Sequence, residues 1–169
     1  MNKPSRSLCL IKPDGVRRGL SGEIIRRIET TGLRIAALKL VLPDQALAQR
    51  HYRYDDIAVR HGEGVWNALT AFLSSGAVIA LVVEGVSAVE NMRRICGTTE
   101  PSKSPTGTIR GDFCHHDFAW AKTTGKAIRN VMHASSSDEE AALEIVVWFT
   151  AAEIIDYRRS DAGEHLLDD

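Results

Sequence analysis

The run from Ala77 to Val83, Ala-Val-Ile-Ala-Leu-Val-Val, is the most apolar stretch of the chain and constrains the fold more than any other segment. Ser74-Ser75-Gly76 precedes it and Glu84-Gly85 ends it. Seven apolar residues between turn formers make a strand, far short of the roughly 20 needed to span a bilayer. A strand that is apolar on both faces must be covered on both, so it sits at the centre of a sheet.

The flanking sequence supplies the partners. Leu8 to Ile11 reads as a second buried strand, stopped by Pro13, Asp14 and Gly15. Ile24, Ile25 and Ile28 recur at helical spacing, with Gly32 placed to close the helix, and Leu33 to Leu42 alternates as a strand. Asp44 caps a helix running through His51 and Tyr52, and another carries Trp66, Leu69, Phe72 and Leu73 on one side. After the central strand, Ser87 is expected to cap a helix with Val89, Met92 and Cys96 inward and Gly97 at its end. Thr98 to Gly111, rich in Pro and Gly, reads as a long loop of the kind that is often functional. Asn130 to His133 is a last strand candidate. Ser137 and Glu140 form a capping box for a helix bearing Ala142, Ile145, Val146 and Phe149. This order predicts an α/β sandwich with the sheet backed by helices on one face.

Length favours one domain over residues 1–169. With 21 Lys+Arg against 22 Asp+Glu, the net charge of −1 offers no basic surplus for a specific nucleic acid, so any anion site must be local. Cys9, Cys96 and Cys114 contain no CxxC pair and are odd in number, which fits free thiols in a reducing compartment. No membrane span and no signal-peptide core are visible, so a cytoplasmic protein is expected.

His133 is the first candidate for chemistry. It ends a strand, Ser135 follows, and Glu144 lies two turns into the next helix with its side chain able to lean back toward the helix start. A carboxylate on one imidazole nitrogen fixes the tautomer and frees the other as a nucleophile, which would permit a phosphohistidine. By itself a histidine beside a strand is more often a satisfied structural residue. Lys12, Arg93, Arg110 and Arg129 are cations that, if convergent, would stabilise a transferring phosphoryl group; scattered, they are solvated surface charges. There is no GxxxxGK[ST] and no GxGxxG, so phosphate must be held without either loop. His115, His116 and Asp117 lack metal spacing and read as surface loop residues.

Taken together, Leu10-Ile11-Lys12-Pro13-Asp14-Gly15-Val16, His51-Tyr52, Ser75-Gly76, Glu84-Gly85, Gly107-Thr108-Ile109-Arg110-Gly111-Asp112-Phe113, Asn130-Val131-Met132-His133-Ala134-Ser135 and Glu144-Ile145 resemble the nucleoside diphosphate kinases over nearly the whole chain. The resemblance implies a ferredoxin-like α+β fold with an antiparallel four-stranded sheet. It also implies ping-pong transfer of the γ-phosphoryl group from ATP or another nucleoside triphosphate to a nucleoside diphosphate. His133 is then the phosphorylated residue, Glu144 its orienting carboxylate and Ser135 the hydroxyl beside them. Lys12, Tyr52, Arg93, Thr99, Arg110 and Asn130 take the phosphate and ribose contacts, with Val65 and Leu69 at the base. Mg²⁺ held mainly by nucleotide phosphates, and a homo-oligomer (a hexamer, or a tetramer built from dimers), are further implications.

The chain departs from that pattern in places. Val65 stands where the family stacks a Phe, Ser136 replaces an Asp, and Thr98-Thr99-Glu100-Pro101 replaces a Thr-Asn-Pro ending. Stretches 53–64 and 115–126 look like insertions. The second carries Phe118 and Trp120, which predicts packing on the subunit or a neighbour. The tail, 157–169, is charged and is expected either to cover a partner subunit or to be loose. Two rival readings remain: a kinase-like fold that binds without turnover, and a nucleic-acid-binding regulator. The first conflicts with the retained Lys12, Arg110, Asn130, His133 and Glu144, and the second lacks a basic stripe.

Overall fold

The computed structural model describes residues 4–161. Four strands, β1 (Ser5–Ile11), β2 (Arg34–Val41), β3 (Val78–Gly85) and β4 (Met132–Ala134), form one sheet in the order β2-β3-β1-β4. Every pairing is antiparallel, with Leu8 opposite Val82 and Leu10 opposite His133. The helices are α1 (Pro13–Arg17), α2 (Ser21–Glu29), α3 (Gln45–His51), α4 (Val59–His61), α5 (Glu63–Leu73), α6 (Ala88–Cys96), α7 (Ile109–Phe113), α8 (Phe118–Thr124) and α9 (Asp138–Trp148). This is the ferredoxin-like α+β arrangement that the resemblance implied.

The alternating side chains of the two central strands divide the core in two. Cys9, Ile11, Leu81 and Val83 pack with Ile24 and Ile28 of α2 and with Ala88, Met92 and Cys96 of α6. Leu8, Leu10, Ala80 and Val82 pack with Ala48 of α3, Leu73 of α5 and Ile145 and Trp148 of α9. Helices therefore cover both faces of the sheet, which corrects the one-faced sandwich expected from element order. Element order fixes neighbours along the chain but not the side on which each connection crosses.

Four local expectations change. Ser87 does not cap α6 with its side chain; its backbone is left-handed (φ 48°), and the hydroxyl of Ser5 accepts from the Ala88 N–H at 2.8 Å. Strand β4 starts at Met132, because Asn130 and Val131 are taken up by a tight turn. The polar connection 53–64 is wound into a π-helical turn, Tyr54–Ala58, continued by α4 and broken from α5 by Gly62 at φ 89°. The stretch 115–126 contains α8, capped by Asp117 Oδ1 and closed by left-handed Gly125, with Glu100 Oε1 accepting from the Phe118 N–H at 3.0 Å.

On α8, Trp120 lies against the His116 ring at 4.3 Å and Phe118 stays half exposed. The described part of the tail docks on its own subunit. Arg34 pairs with Asp156 at 2.8 Å, and Arg159 donates to the Leu33 carbonyl at 3.1 Å. Residues 162–169 of the expected tail lie outside the described residues. No helix among the described residues is long and apolar enough to cross a membrane.

Candidate active site

Antiparallel register brings the first chemical residues together. Because Leu10 faces His133, Lys12 leaves the end of β1 beside the turn that leads into β4. Burial lowers the Lys12 ammonium to about 8, helped by the Arg110 charge, and its Nζ donates to Asn130 Oδ1 at 2.9 Å. Asn130 is 1% exposed and passes the link on, its Nδ2 donating to the Thr99 carbonyl at 2.9 Å.

The turn that aims Asn130 and His133 is strained. Val131, a β-branched residue, sits at φ 53°, and the Met132 N–H closes on the Asn130 carbonyl at 2.6 Å, a three-residue turn. Two bonds hold it there: Lys12 N–H to the Val131 carbonyl at 2.8 Å, and Val131 N–H to Asp14 Oδ2 at 3.1 Å. Gly15 permits this approach, since a Cβ there would meet Ile11 Cγ2 at 2.9 Å and the Val131 carbonyl at 3.0 Å. Strain kept in place by surrounding bonds is a mark of a functional turn.

His133 meets Glu144 from the opposite side. Glu144 Oε1 lies 2.8 Å from His133 Nε2, although the ring N–H is not aimed along that line. Catalytic hydrogen bonds commonly align only when substrate binds. The other carboxylate oxygen accepts from Ser135 Oγ at 2.6 Å, and Ser135 in turn accepts from the Leu8 N–H at 3.1 Å. Burial raises the Glu144 carboxyl, with the His51 ring and the Ser135 hydroxyl pulling it back. Burial likewise lowers the His133 imidazole, reinforced by the Lys12 charge and opposed by Glu140, so the ring is neutral at pH 7. With Nε2 against Glu144, Nδ1 carries the free lone pair.

Arg110 is a second buried cation beside Lys12 in the electrostatics of the ring. Thr108 caps α7 with its hydroxyl, and from that helix Arg110 donates to the Gly97 carbonyl at 3.0 Å and the Met132 carbonyl at 2.7 Å. Its Nε is buried without a partner. Arg93 and Thr99 are exposed on the same side, and the Arg93 charge is felt at His133. Tyr52, 8% exposed, follows His51 at the end of α3. Val65 and Leu69 lie apart from this network on α5, with Val65 at 44% exposure and Leu69 packed into the core. Arg129 turns away, its guanidinium 3.7 Å from the centre of the Phe72 ring. His115 and His116 stack edge-on and belong to no group of three metal-ligating side chains among the described residues.

Sequence reasoning gave no role to His51. Its side chain is 0% exposed, and its ring stands edge-on to His133 with centroids 4.6 Å apart. Its Nδ1 lies 3.6 Å from Glu144 Oε1 and accepts a long 3.4 Å contact from Trp148 Nε1. The available signal was its place beside Tyr52 at the inner end of an amphipathic helix.

The site as a whole holds a neutral imidazole against a buried carboxylate, with the charges of a buried Lys and a buried Arg acting on the ring. Known proteins point the same way. A family model described as nucleoside diphosphate kinase matches residues 5–154. A nucleoside diphosphate kinase of Borreliella burgdorferi is 48% identical over 160 residues, covering 95% of this chain and 96% of that relative. The structure is similar to a transition-state mimic of the Borrelia burgdorferi enzyme with bound vanadate and ADP, at TM-score 0.94 and 48% identity, covering 96% of both chains. It is also similar to a halophilic nucleoside diphosphate kinase from Halobacterium salinarum in complex with CDP, at TM-score 0.80 and 33% identity, covering 94% of this chain and 96% of that one. The chain belongs to the nucleoside diphosphate kinase family.

Proposed function

We propose that this chain moves the γ-phosphoryl group of ATP or another nucleoside triphosphate to a nucleoside diphosphate through a phosphohistidine on Nδ1 of His133. The observation that carries the reading is the neutral His133 ring placed 2.8 Å from Glu144 with Nδ1 left open. In the first half-reaction Nδ1 attacks the γ-phosphorus, the bond to the β,γ-bridging oxygen breaks, and the diphosphate leaves with that electron pair. Glu144, held by Ser135, supports the positive charge that the ring acquires. In the second half, a terminal oxygen of the acceptor diphosphate takes the phosphoryl group and the ring recovers its lone pair.

Lys12 and Arg110 stabilise charge on the phosphoryl oxygens, Arg93 and Thr99 take the inner phosphates, and Asn130 and Tyr52 position the sugar and phosphate. Val65 and Leu69 offer the base an apolar surface without a ring.

Among the described residues, the protein's own donors do not make a magnesium cage. The one group of three metal-ligating side chains among the described residues, His51, His133 and Glu144, has two nitrogens, whereas Mg²⁺ takes oxygen ligands in octahedral array. Mg²⁺ therefore arrives on the nucleotide phosphates. Assembly into a homo-oligomer is supported by β2, an edge strand that exposes Leu38 and Leu40, with Leu42 just beyond it. A reducing, cytoplasmic setting fits the free thiols Cys9, Cys96 and Cys114.

The test is incubation with ATP labelled at the γ-phosphorus. An acid-labile, base-stable label should appear on wild type, disappear in His133→Ala, and pass to any added nucleoside diphosphate. Persistent labelling of the variant would sink the mechanism.

A further inference from the structure

The three side chains gathered at the nucleophile, His51, His133 and Glu144, have a chemistry that phosphoryl transfer does not require. Their ligand atoms all lie within 4.8 Å of one another. From Glu144 Oε1 the distances are 2.8 Å to His133 Nε2 and 3.6 Å to His51 Nδ1. Tetrahedral zinc, with bonds of about 2.0–2.1 Å, sets its ligand atoms about 3.3 Å apart, so these two separations fall on either side of the required value. Two imidazoles and one carboxylate with a fourth position open are a zinc-type donor set, unlike the all-oxygen shell of Mg²⁺.

The surroundings keep the donors ready. His133 Nε2 is buried with no hydrogen-bond partner, and the competing contact on His51 Nδ1, from Trp148, is long at 3.4 Å. His51 Nδ1 already offers a lone pair, since it accepts from Trp148, and His133 Nε2 offers one once the ring proton moves to Nδ1. Opposing the ion are the charges of Lys12 and Arg110, which face His133 from β1's end and α7. Softness of the ligands therefore decides the outcome, and the site should reject Mg²⁺.

We propose that His51, His133 and Glu144 form an inhibitory site for zinc and similar soft divalent cations at the back of the nucleophile. The ion would bind His133 through Nε2, pin the ring, draw electron density from it and occupy the Glu144 oxygen that serves it. The ring proton would then sit on Nδ1, whose lone pair would no longer be available for attack. The consequence for turnover rests on the phosphohistidine reading, whereas the binding does not.

The experiment measures Zn²⁺ binding to the nucleotide-free protein by competition with a chromophoric chelator, beside titration of the histidine ring resonances of ¹⁵N-labelled wild type. One ion per chain is expected, moving two ring systems and leaving the other histidines unchanged. His51→Gln should weaken binding at least tenfold, while His115→Ala/His116→Ala should not alter it. ATP labelling of wild type, with Mg²⁺ in excess throughout, should fall with site occupancy and return when a zinc-selective chelator removes the Zn²⁺. Zn²⁺ affinity unchanged in His51→Gln, or ring shifts at other histidines in wild type, would overturn the site. Absence of labelling even in metal-free protein would overturn the kinase reading and leave the binding result standing.

Discussion

The two ends of the candidate site are built on different principles. At the phosphate end, Lys12, Asn130, Ser135 and Arg110 are buried, and each is tied by a hydrogen bond to another element of the fold. At the base end, Val65 and Tyr54 are exposed at 44% and 52%, and nearby charges such as Arg53 and Asp55 pair in solvent. Exposed pairs add little rigidity, whereas buried, fully bonded polar groups are fixed and costly to disturb. Rigidity is placed where charge develops during the reaction. The base end can adapt, because discrimination between bases would need positioned hydrogen-bond partners.

That contrast breaks most severely at the nucleophile. His133→Ala should abolish labelling and lower turnover by about 10⁴-fold or more, since the Ser135 hydroxyl is tied up with Glu144 and the Leu8 carbonyl and the His51 ring is fully buried. Residual turnover within a hundredfold of wild type would mean that the phosphate end does not work through this residue. Next comes Arg110→Ala. Its guanidinium bonds the Gly97 and Met132 carbonyls and its charge acts on the His133 ring, so loss should cost about 10²–10³ in kcat, read by steady-state kinetics. A change confined to KM would assign Arg110 to uniform ground-state binding instead.

Glu144→Gln sharpens the comparison by keeping shape and removing charge. A fall of about 10²-fold in the labelling rate is expected if the carboxylate supports the ring. An unchanged rate would reduce Glu144 to a packing residue.

Much of this phosphate end was legible in sequence because its residues sit at element ends. Lys12 precedes a Pro-Asp-Gly turn, Arg110 follows a Gly-Thr cap, and His133 and Glu144 bracket the Ser137 cap, where the Glu140 carboxylate accepts from the Ser136 N–H rather than closing the expected capping box. Such positions carry turn and cap signals that survive without a structure. What stayed hidden depends on tertiary approach. The left-handed Val131 turn is imposed by bonds from Lys12 and Asp14, more than a hundred residues away in sequence, and no local propensity would place a valine there. His51 meets His133 only because α3 packs on the sheet face presented by Leu10, the β-partner of His133. The crossing side of each helix, and hence two-sided cover, was hidden for the same reason. Wound segments at 54–61 and 118–124 were missed because they are short and stabilised by docking, as in the Glu100 cap of α8.

Protonation gives a prediction of intermediate size. His51 is pushed down to about 3, chiefly by burial, with the His133 ring adding to the shift. A histidine of ordinary value, 6.5, takes up its proton in the unfolded chain first. Between pH 6.5 and about 3 the unfolded state therefore binds more protons, so stability is highest above 6.5 and falls as pH drops through that window. His51→Gln should flatten the decline of the unfolding midpoint between pH 7 and 5, and an undiminished decline would show that other groups govern it. Over the same range His133 stays neutral in the folded protein, so initial labelling should change less than twofold from pH 7.5 to 6.

The smallest effect is expected at the base end. Trp66 cannot supply the ring that Val65 lacks, since its Nε1 donates to the Tyr52 carbonyl at 2.7 Å and its indole packs into the core. Tyr54 is held edge-on against Trp66 at 5.0 Å, with half its surface open. Val65→Phe would add an aromatic face on an exposed helical position with room to receive it. Stacking on a base is worth about 1–3 kcal/mol, and an exposed site should realise the lower end, a roughly fivefold fall in KM for purine and pyrimidine diphosphates alike. Because the added contact reads no hydrogen-bond pattern, kcat and the ranking of bases should both hold. A change in kcat would mean that the two ends are coupled through α5 and α3, and the division between a rigid phosphate end and an adaptable base end would fail.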